Sequence, residues 1–552
     1  MVQFWRVLLF LSGVLLLLYA LTWLGQRLGA SIDAQAWLPS ARQFPGLRNT
    51  VVPRTDVRLT DSMLRLVEAI DSLDMATGAA HSSQRAGKAT ARVMGEALLS
   101  AEEVGSGLPS GAYPFTPEPG RHLVQSPILA DAMRGAKEAK PANNVALPEG
   151  AKGDKRIKTR ALEYTDAGFN QLAYFFDALG KTQLDGAGVR ILHYGDSQIE
   201  GDRVTGYLRS RMQRVFGGAG VGMQCVVPPV SPPFGLSIQP GAGWKYHSIM
   251  PATKRKKEFH YGLAGSVCQY GQEVEDAETG ETRYQGSVEI SRKLSVGSGM
   301  RFSHVRVFIH TAQSPCRVDL QQGDSTLWEA SIGALPSVQQ VVVPISTQLS
   351  KFSLSFSSAA LADVLALSFE GKGGVQVDNV PLRGSSGGDF TAISDTVFRE
   401  MASFLHPKLV LLQFGVNVVP GQMEAYGFYR EMLKRQIARL RALLPGVAFI
   451  MLGVSDMGMK EEDDFISYPN IPKVRNAQRQ AALESGIAFW DTYLAMGGSN
   501  SIVAWVNAEP PLATADYVHF TPRGARFIGE MFYSALMQAY EAYTQGSTAL
   551  PK

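Results

Sequence analysis

The sequence predicts an α/β fold in which a parallel sheet is interrupted by an inserted β-sandwich-like domain. Strand-like and helix-like segments alternate in two stretches, residues 156–225 and residues 376–545. Strands that alternate with helices favour parallel pairing, so the two stretches are expected to form one domain. Between them, residues 226–375 hold short apolar or alternating runs separated by Gly, Ser, Pro and Asp. Such short, regularly spaced strands are typical of a β-sandwich.

The composition excludes some classes of protein. Lys and Arg number 53 and Asp and Glu number 50, which leaves a net charge of +3. This balance lacks the broad cationic surface that non-specific nucleic-acid binding needs, so we expect no nucleic-acid partner. Hydrophobic residues make up 45% of the chain and charged residues 19%, which suits a sizeable core and excludes wholesale disorder.

The amino terminus carries an apolar segment of bilayer length. Residues 7–25 hold no charged side chain, and about 19 residues at about 1.5 Å each nearly span a hydrocarbon core of about 30 Å. Tyr19 and Trp23 lie near its far end, where interfacial aromatic residues occur. We predict a signal anchor over residues 1–29, with a single transmembrane helix in the inner cell membrane and the remaining chain on the periplasmic side. A cleaved signal peptide is the alternative.

Residues 30–155 are predicted to form a largely disordered tether. Residues 61–74 carry apolar side chains at helical spacing, which indicates one short amphipathic helix. Residues 101–155 are rich in Gly, Pro, Ala and Lys and show no sustained periodicity. This composition is typical of a linker.

The elements of the first α/β stretch lead to a Gly-Asp-Ser turn. Residues 169–179 carry apolar side chains at helical spacing. We predict a helix that ends at Gly180, since glycine commonly terminates helices. Residues 189–194 then predict a buried strand that runs straight into the turn at Ser197. A helix is predicted for residues 204–216. This order of strand, tight turn and helix is the start of an α/β unit.

Strands dominate the insert, and the alternation of strands and helices returns after it. Within the insert, the clearest strand-like runs are residues 305–311, 338–346, 352–358 and 364–371. The pattern that follows predicts helices at 392–404 and 422–443, strands at 409–415 and 447–454, and a last helix that begins after Pro522.

Polar residues at strand ends and at a helix start form a candidate site for acyl-ester chemistry. Ser197, directly after a strand, is the candidate nucleophile, because ligands bind at the carboxyl edge of open α/β sheets. Asp516 and His519, three positions apart before the last helix, can act as orienter and base. Asn417 follows the next strong strand and can donate its side-chain amide to an oxyanion. The backbone N–H groups of Ser197 and Gly387 can complete the oxyanion hole.

The segments around these residues resemble the four blocks of the SGNH (GDSL-type) hydrolases. They read HYGDSQIEGDR, RGSSG, FGVN and DYVHFTPRGA in chain order. The resemblance covers about residues 160–225 and 376–545 and implies a three-layer αβα fold. It matches Ser197 to the nucleophile, Asp516 and His519 to the other triad members, and Gly387 and Asn417 to the oxyanion hole, with Gly384 as the alternative alignment.

One position departs from the family pattern. The third block usually ends in Asn-Asp, whereas here Val418 follows Asn417. This difference affects the hydrogen bonds of the loop rather than the oxyanion donor itself.

The narrower resemblance is to bacterial envelope members of the family. The phrases GDSQIEGDR and PPLATADYVHFTPRGA and the membrane-tethered layout are similar to those of peptidoglycan or polysaccharide O-acetylesterases with a carbohydrate-binding-like insert. The resemblance implies a serine esterase that removes O-acyl, above all O-acetyl, groups from an acylated glycan. O-acetyl transfer by the same triad, beside a membrane-bound acyltransferase partner, is the alternative. A membrane-anchored glycan-binding or scaffold protein with an inactive catalytic domain is the alternative of another class.

A second serine fits a different nucleophile motif. Ser386 lies in Gly-Ser-Ser-Gly-Gly, which satisfies the G-x-S-x-G elbow of α/β-hydrolases. The preceding Pro381 breaks the strand before this turn, and an oxyanion loop explains the run better. Ser197 is therefore favoured over Ser386.

We assign no catalytic role to the other motifs. The glycine-rich run 216–222 lacks dinucleotide-binding spacing and is interpreted as a flexible turn near the active site. The acidic run 461–464 is interpreted as a solvated loop. The basic run 254–257 is interpreted either as a solvated loop or as a contact for an anionic envelope polymer. His193 is interpreted as a packed or hydrogen-bonded histidine.

No cofactor and no metal site are predicted. The chain has three cysteines and no C-x-x-C pair, the spacing that a structural zinc site would need. Either one disulfide with a free thiol or three buried thiols is expected for Cys225, Cys268 and Cys316.

Overall fold

The computed structural model describes residue 151, residues 159–275 and residues 280–546. The predicted anchor at residues 1–29 and the predicted tether at residues 30–155, with its short helix, lie outside the described residues except for residue 151. Within the described ranges, no helix is both long and apolar enough to span a membrane.

A five-stranded parallel sheet forms the centre of the α/β domain. With strands and helices numbered along the chain, its spatial order is β14 (Gly374–Pro381), β1 (Gly188–Gly195), β15 (Pro407–Gln413), β16 (Ala448–Leu452) and β19 (Ala488–Trp490). Every neighbouring pair is parallel. All residues of β1 after Gly188 are buried, because helices cover both faces of the sheet.

Helices on the two faces complete a three-layer domain. One face is covered by α1 (Asp166–Asp185), α2 (Arg203–Phe216) and α8 (Pro522–Thr544), and the other by α3 (Asp395–Leu405), α4 (Gly427–Leu443) and α5 (Ile471–Glu484). Between β19 and α8 the chain forms the short helices α6 (Thr492–Met496) and α7 (Ser501–Val506). The predicted α/β fold with a parallel sheet is confirmed.

Helix α1 is longer than the sequence predicts. The Thr165 side chain caps its start by accepting from the Gly168 N–H at 3.4 Å. Gly186 ends it in the left-handed conformation, with a φ of 69°. The predicted end at Gly180 is wrong, because Gly180 is buried inside the helix. Packing of the helix in the core outweighs the cost of about 1 kcal/mol for an interior glycine.

Two antiparallel sheets form the β-rich insert between α2 and β14. The first has the order β10 (Ser325–Ile332), β9 (Cys316–Gln322), β12 (Lys351–Ser358), β7 (Thr282–Arg292) and β3 (Leu236–Pro240), with β6 (Gln272–Glu275) paired to β7. The second has the order β11 (Leu335–Pro344), β8 (His304–Thr311), β13 (Asp363–Glu370), β5 (Ser266–Gln269) and β4 (Lys245–Ser248), with β2 (Gly222–Gln224) paired to β13. Val288 and Leu354 of the first sheet share one apolar core with Val307 and Leu367 of the second. These sheets fit the predicted inserted domain.

Strand β13 is buried on both faces. Leu367 belongs to the core between the two antiparallel sheets. Leu365 and Ala366 belong instead to the core that contains Phe398 and Met401 of α3. The second sheet therefore lies between the core of the insert and a helical layer of the α/β domain.

A buried ionic cluster joins the insert to the parallel sheet. Arg190 of β1 donates to both carboxylate oxygens of Asp378 in β14 at 2.9 and 2.8 Å and also pairs with Glu370 of β13. Asp378 is fully buried and accepts from the backbone N–H of Met223 at 2.8 Å. Because these charges are removed from water, each depends on its partners.

We expect Asp378→Ala to lower the free energy of unfolding by about 3–5 kcal/mol, because it leaves the buried Arg190 guanidinium without one of its partners. Urea or thermal unfolding of the full chain measures this loss. The control Glu289→Ala breaks an exposed ion pair with Lys351, 2.9 Å long, and is expected to cost less than about 1 kcal/mol. Equal losses in the two variants would contradict the role given to Asp378.

The glycine-rich run 216–222 packs tightly where the insert leaves the α/β domain. A Cβ atom on Gly218 would lie 2.4 Å from the Val375 carbonyl oxygen, and one on Gly220 would lie 2.1 Å from the Phe369 carbonyl oxygen. Val375 is the second residue of β14, at the edge of the sheet opposite to the carboxyl ends of the strands. The interpretation as a flexible turn near the active site is therefore wrong, and the glycines serve close packing of backbones.

The acidic run 461–464 forms the turn of a hairpin. Strands β17 (Gly458–Glu461) and β18 (Asp464–Ser467) pair antiparallel. The acidic side chains are largely exposed, which agrees with their interpretation as a solvated turn.

The cysteines do not form a disulfide. Cys225, Cys268 and Cys316 are free thiols, and the last two are buried. Of the two alternatives for the cysteines, the structure has three thiols, although Cys225 is only partly buried.

Candidate active site

The carboxyl ends of three neighbouring strands meet at one edge of the parallel sheet. Ser197 follows β1, residues 382–389 follow β14, and Asn417 follows β15. The first two segments are in direct contact, since the Leu382 N–H donates to the Gly195 carbonyl at 2.7 Å. This is the edge at which open α/β sheets bind their ligands.

Ser197, His519 and Asp516 form a continuous chain of hydrogen bonds. Ser197 Oγ lies 2.8 Å from His519 Nε2, and His519 Nδ1 lies 2.7 Å from Asp516 Oδ2. The Ser197 residue is 9% exposed and the His519 side chain 24%, so a ligand can reach both. When Nδ1–H donates to the carboxylate, Nε2 is left to accept the serine proton.

A backbone turn holds the Asp516 carboxylate. Its Oδ1 accepts from the Thr514 hydroxyl at 2.6 Å and from the N–H groups of Val518 and His519 at 2.9 and 3.0 Å. Partial burial raises the pKa of Asp516, but the hydrogen bonds from His519 and Thr514 outweigh burial and hold this pKa below its ordinary value. The resulting stabilisation is present above the unfolded-state pKa of about 3.9 and is lost as the pH falls through the lower folded-state value. The carboxylate therefore stays ionised at neutral pH.

Gln198 ties the turn of Ser197 to the loop of His519. Its buried side-chain amide donates to the Val518 carbonyl at 2.7 Å and to Ser455 Oγ at 3.1 Å. Sequence reasoning missed this residue, because a glutamine beside the serine carries no signal until the loops that surround it are known.

Arg203, the first residue of α2, also ties the turn of Ser197 to the loop before α8. Its guanidinium donates to the backbone carbonyls of Ser197 and Phe520 and, through Nε, to that of Glu200 at 2.8 Å. The Glu200 carboxylate in turn accepts two hydrogen bonds from Arg383, at 2.6 and 2.7 Å. These charged residues hold the turn of Ser197 between the loop before α8 and the loop after β14.

The β17–β18 hairpin supports the turn from Asp516 to His519. Tyr517 has a left-handed backbone with a φ of 57°, and its ring stacks on Phe465 at a centroid distance of 3.8 Å. The Gly458 N–H donates to the Tyr517 carbonyl at 2.8 Å. A Cβ atom on Gly458 would lie 2.8 Å from Tyr517 Cβ, so a larger residue would displace the turn.

The other predicted oxyanion donors lie around Ser385. Asn417 Nδ2 donates one hydrogen bond to the Ser385 carbonyl at 3.0 Å, which leaves its second N–H. The Gly387 N–H donates to Ser385 Oγ at 2.9 Å, and this hydroxyl donates to Asp389 at 2.7 Å. Gly387 thus already has an acceptor within its own loop. Gly384, the alternative alignment, is exposed.

Gln478 of α5 holds the ends of two strands in place. Its Nε2 donates to the Phe414 carbonyl at 2.6 Å and to the Tyr429 hydroxyl at 3.2 Å, and its Oε1 accepts from the Val454 N–H at 2.7 Å. The Tyr429 hydroxyl donates to the Ser386 carbonyl at 3.2 Å. In the part of the chain that the structure describes, no histidine ring is hydrogen-bonded to the Ser386 hydroxyl, in contrast to Ser197.

His193 is fully buried in β1. Its Nε2 lies 3.1 Å from Gln413 Oε1 and its Nδ1 lies 2.9 Å from Thr205 Oγ1. Burial lowers the pKa of His193 to about 3. The ring is therefore neutral and internal, as its interpretation as a packed histidine requires.

A group of possible metal ligands lies in the insert, away from this site. Among the described residues, His260, His310 and Asp363 place ligand atoms within 4.8 Å of one another. The two imidazoles are stacked, with ring centroids 3.9 Å apart and planes at 18°, whereas rings bound to one ion radiate from it. His260 Nδ1 is already hydrogen-bonded to Asp363 at 2.8 Å. This arrangement suits a stacked, hydrogen-bonded pair better than an ion.

Comparison with known proteins identifies the family of the α/β domain. Residues 348–527 match the model of the GDSL-like lipase/acylhydrolase family. The matched residues belong to the GDSL-like (SGNH) hydrolases, the family that the motifs resemble. A sequence comparison with curated proteins gave no match.

Among solved structures, a peptidoglycan O-acetylesterase is similar over 68% of this chain and 99% of its own, with 20% identity and a TM-score of 0.54. An acetyl xylan esterase is 18% identical over 29% of this chain and 81% of its own, with a TM-score of 0.23. A family two carbohydrate esterase from Clostridium thermocellum is 8% identical over 53% of this chain and 97% of its own, with a TM-score of 0.21. Of these three, the first is close enough to show a shared fold.

The first block of the SGNH domain lies outside the matched residues. Ser197 precedes residues 348–527 because the insert separates β1 from β14, and the parallel sheet brings the two parts together again. In the third block, the Val418 N–H donates to the Gly415 carbonyl at 2.9 Å. The turn that carries Asn417 therefore forms without the usual aspartate.

We expect Gly458→Ala to lower kcat for a small ester by about 10- to 100-fold, because the new Cβ displaces the turn of His519 and a shift of about 1 Å can cost about 100-fold. The expected cost in unfolding free energy is about 1–3 kcal/mol. Steady-state kinetics and thermal unfolding measure the two effects. Gly333→Ala is the control, since a Cβ there meets nothing within 4 Å. Unchanged kcat in Gly458→Ala would show that the hairpin does not position His519.

Proposed function

We propose that this chain is a serine esterase that removes O-acyl, above all O-acetyl, groups from a glycan of the cell envelope or extracellular space. The proposal depends on the hydrogen bonds from Ser197 through His519 to Asp516 at the carboxyl edge of the sheet. Membership of the SGNH family supports ester hydrolysis. The fold shared with a peptidoglycan O-acetylesterase supports an acylated glycan as the substrate.

In the first half of the reaction, Ser197 Oγ attacks the carbonyl carbon of the acyl group. His519 Nε2 takes the hydroxyl proton, and the Asp516 carboxylate stabilises the imidazolium that forms. The tetrahedral intermediate then expels the sugar oxygen, which takes this proton from Nε2. The acyl group remains on Ser197 as an ester.

Backbone and side-chain N–H groups stabilise the oxyanion. The Ser197 N–H and the second hydrogen of Asn417 Nδ2 are the donors in this proposal. The Gly387 N–H donates to Ser385 Oγ in the structure. It becomes a third donor when it donates to the oxyanion instead. Ser385 then keeps its hydrogen bond to Asp389.

In the second half of the reaction, His519 takes a proton from water as the water oxygen attacks the carbonyl carbon of the acyl-serine. The bond to Ser197 Oγ then breaks, Oγ takes the proton back from Nε2, and the carboxylic acid leaves. A sugar hydroxyl in place of water would transfer the acyl group to another glycan. This transfer is the alternative reaction of the same residues, and the acceptor distinguishes it from hydrolysis.

The proposed location is the inner membrane, with the catalytic domain on the periplasmic side. The uncharged apolar residues 7–25 support an anchor. An anchored esterase would meet acylated envelope glycans directly, and a membrane-bound acyltransferase would be its partner in the transfer reaction.

Three measurements on the purified full chain test this function. We expect turnover of p-nitrophenyl acetate, release of acetate from an O-acetylated glycan, and labelling of Ser197 by a serine-directed phosphonate, located by peptide mass spectrometry. Acetate release without new acetylated oligosaccharide indicates hydrolysis, and acetylation of an added oligosaccharide indicates transfer. Absence of both turnover and labelling would contradict an esterase and favour the glycan-binding or scaffold alternative.

A further inference from the structure

A basic loop of the insert borders the candidate active site. We define the cationic loop as residues 249–259, which follow β4. Its four cations are consecutive, Lys254, Arg255, Lys256 and Lys257. The three lysine side chains are exposed, and Arg255 is 27% exposed.

Arg255 connects the cationic loop to the oxyanion side of the site. Its Nη2 lies 3.9 Å from Asp389 Oδ1. Asp389 accepts from the Ser385 hydroxyl at 2.7 Å, and the Ser385 carbonyl accepts from Asn417 at 3.0 Å. Successive polar contacts, the last of them through the Ser385 backbone carbonyl, therefore lead from Arg255 to Asn417, a proposed oxyanion donor.

Apolar contacts fix the cationic loop in the same place. Ile249 of the cationic loop and Leu382 belong to one apolar core, against which Met250 packs. Met250 also lies beside Gly384, where a Cβ atom would be 3.8 Å from Met250 Cε. Gly384 and Leu382 belong to the loop after β14, and Met250 belongs to the cationic loop. The position of the basic run beside the active site thus does not depend on one ion pair.

The three lysines of the cationic loop have no carboxylate partner among the described residues, whereas Arg255 faces Asp389. Among the described residues, no carboxylate lies within 4.0 Å of the amino groups of Lys254, Lys256 or Lys257. The cationic loop also contains Glu258, so its net charge is 4 − 1 = +3. A charge of this size confined to one rim of the site sets up a local field that attracts anions.

We propose that the cationic loop binds the anionic groups of the substrate, so that the preferred substrate is an O-acylated glycan that carries carboxylates. This proposal rests on the proposed esterase function. A glycan with its ester at Ser197 extends across the loop after β14 and places its neighbouring sugars beside the lysines. Attraction between surface charges is screened by salt, with a Debye length of about 10 Å at 0.1 M. Recognition of the substrate is therefore expected to weaken as salt is added.

The test removes the three exposed lysines and leaves Arg255 in place. At 20 mM NaCl, we expect K254A/K256A/K257A to lower kcat/KM for O-acetylated oligogalacturonate by about 10- to 50-fold, mainly through KM, because the local field is lost. At 0.5 M NaCl, the expected difference from the unmodified chain falls to less than about threefold. Turnover of p-nitrophenyl acetate and of an acetylated xylo-oligosaccharide, both uncharged, is expected to stay unchanged.

Two variants serve as controls. K254R/K256R/K257R keeps the charge and is expected to keep the activity on oligogalacturonate. K181A/K293A/K372A removes the same charge from exposed positions elsewhere and is expected to behave as the unmodified chain.

The outcomes separate this inference from the proposed function. Equal kcat/KM of the K254A/K256A/K257A and K181A/K293A/K372A variants on oligogalacturonate would overturn the role of the cationic loop while leaving the esterase intact. If the unmodified chain turns over no ester, the proposed function fails. In that case, the binding of de-esterified oligogalacturonate, measured by calorimetry at 20 mM NaCl, tests the role of the cationic loop. We expect its Kd to be at least about tenfold weaker for K254A/K256A/K257A than for the unmodified chain. An unchanged Kd would overturn the inference.

Discussion

Ser197→Ala is expected to lower kcat for ester hydrolysis by about 10⁴- to 10⁶-fold, because it removes the atom that attacks the acyl group. The hydroxyl of Ser197 lies 2.8 Å from His519 Nε2, which accepts its proton during the attack. The fold should persist, with a change in unfolding free energy of about 1 kcal/mol or less. Steady-state kinetics on p-nitrophenyl acetate, phosphonate labelling and thermal unfolding measure these quantities.

Ser386→Ala is the matched control for this prediction. Ser386 lies in the competing nucleophile motif, but its backbone carbonyl rather than its hydroxyl is held by Tyr429. We expect this variant to keep most of its activity and to retain phosphonate labelling. Activity that survived Ser197→Ala and disappeared in Ser386→Ala would reverse the assignment of the nucleophile.

Asp516→Asn is expected to lower kcat by about 10³- to 10⁴-fold while the fold is retained. A neutral amide cannot stabilise the imidazolium of His519. It can also turn its N–H₂ toward Nδ1, which favours the tautomer with the proton on Nε2, and this tautomer cannot accept the proton of Ser197. The measurement is kcat between pH 6 and 9, the range in which the unmodified Asp516 is ionised because its pKa lies below the ordinary value.

The control for Asp516→Asn removes a carboxylate that has no part in the site. Asp395→Asn breaks an ion pair with Arg439 in which Asp395 is 63% exposed, and we expect kcat to change little. Near-normal kcat of Asp516→Asn across this pH range would show that the carboxylate does not orient the base.

The position of the site could be predicted from the sequence because it depends on strand ends. A buried strand followed at once by Gly-Asp-Ser places Ser197 at the carboxyl edge, and the next strong strand places Asn417 at the same edge. The spacing of Asp516 and His519 allows both to lie in one turn, and the structure brings them to Ser197. Local patterns were sufficient here, because parallel pairing itself assembles the residues.

The supporting residues could not be predicted in this way. Gln198 and Gln478 act through backbone groups that are distant in the chain, and their local sequence shows no periodicity or motif that would single them out. Gly218 and Gly220 carry an ordinary turn signal, yet their role is set by the backbones against which they pack. The end of α1 could not be predicted from Gly180 for a similar reason, because burial of the helix outweighs the local preference of glycine to end it.

The separation of Ser197 from its base has a consequence for the time course of biosynthesis. Ser197 and His519 are 322 residues apart, and the whole β-rich insert is made between them. At about 5–20 residues per second, roughly 16 to 64 s pass between the synthesis of the serine and that of the histidine. A nascent or truncated chain that ends before His519 therefore carries an unactivated serine, and hydrolytic capacity arises only after the segment of Asp516 and His519 has been synthesised. Premature termination anywhere in this interval yields an inert product rather than an uncontrolled esterase.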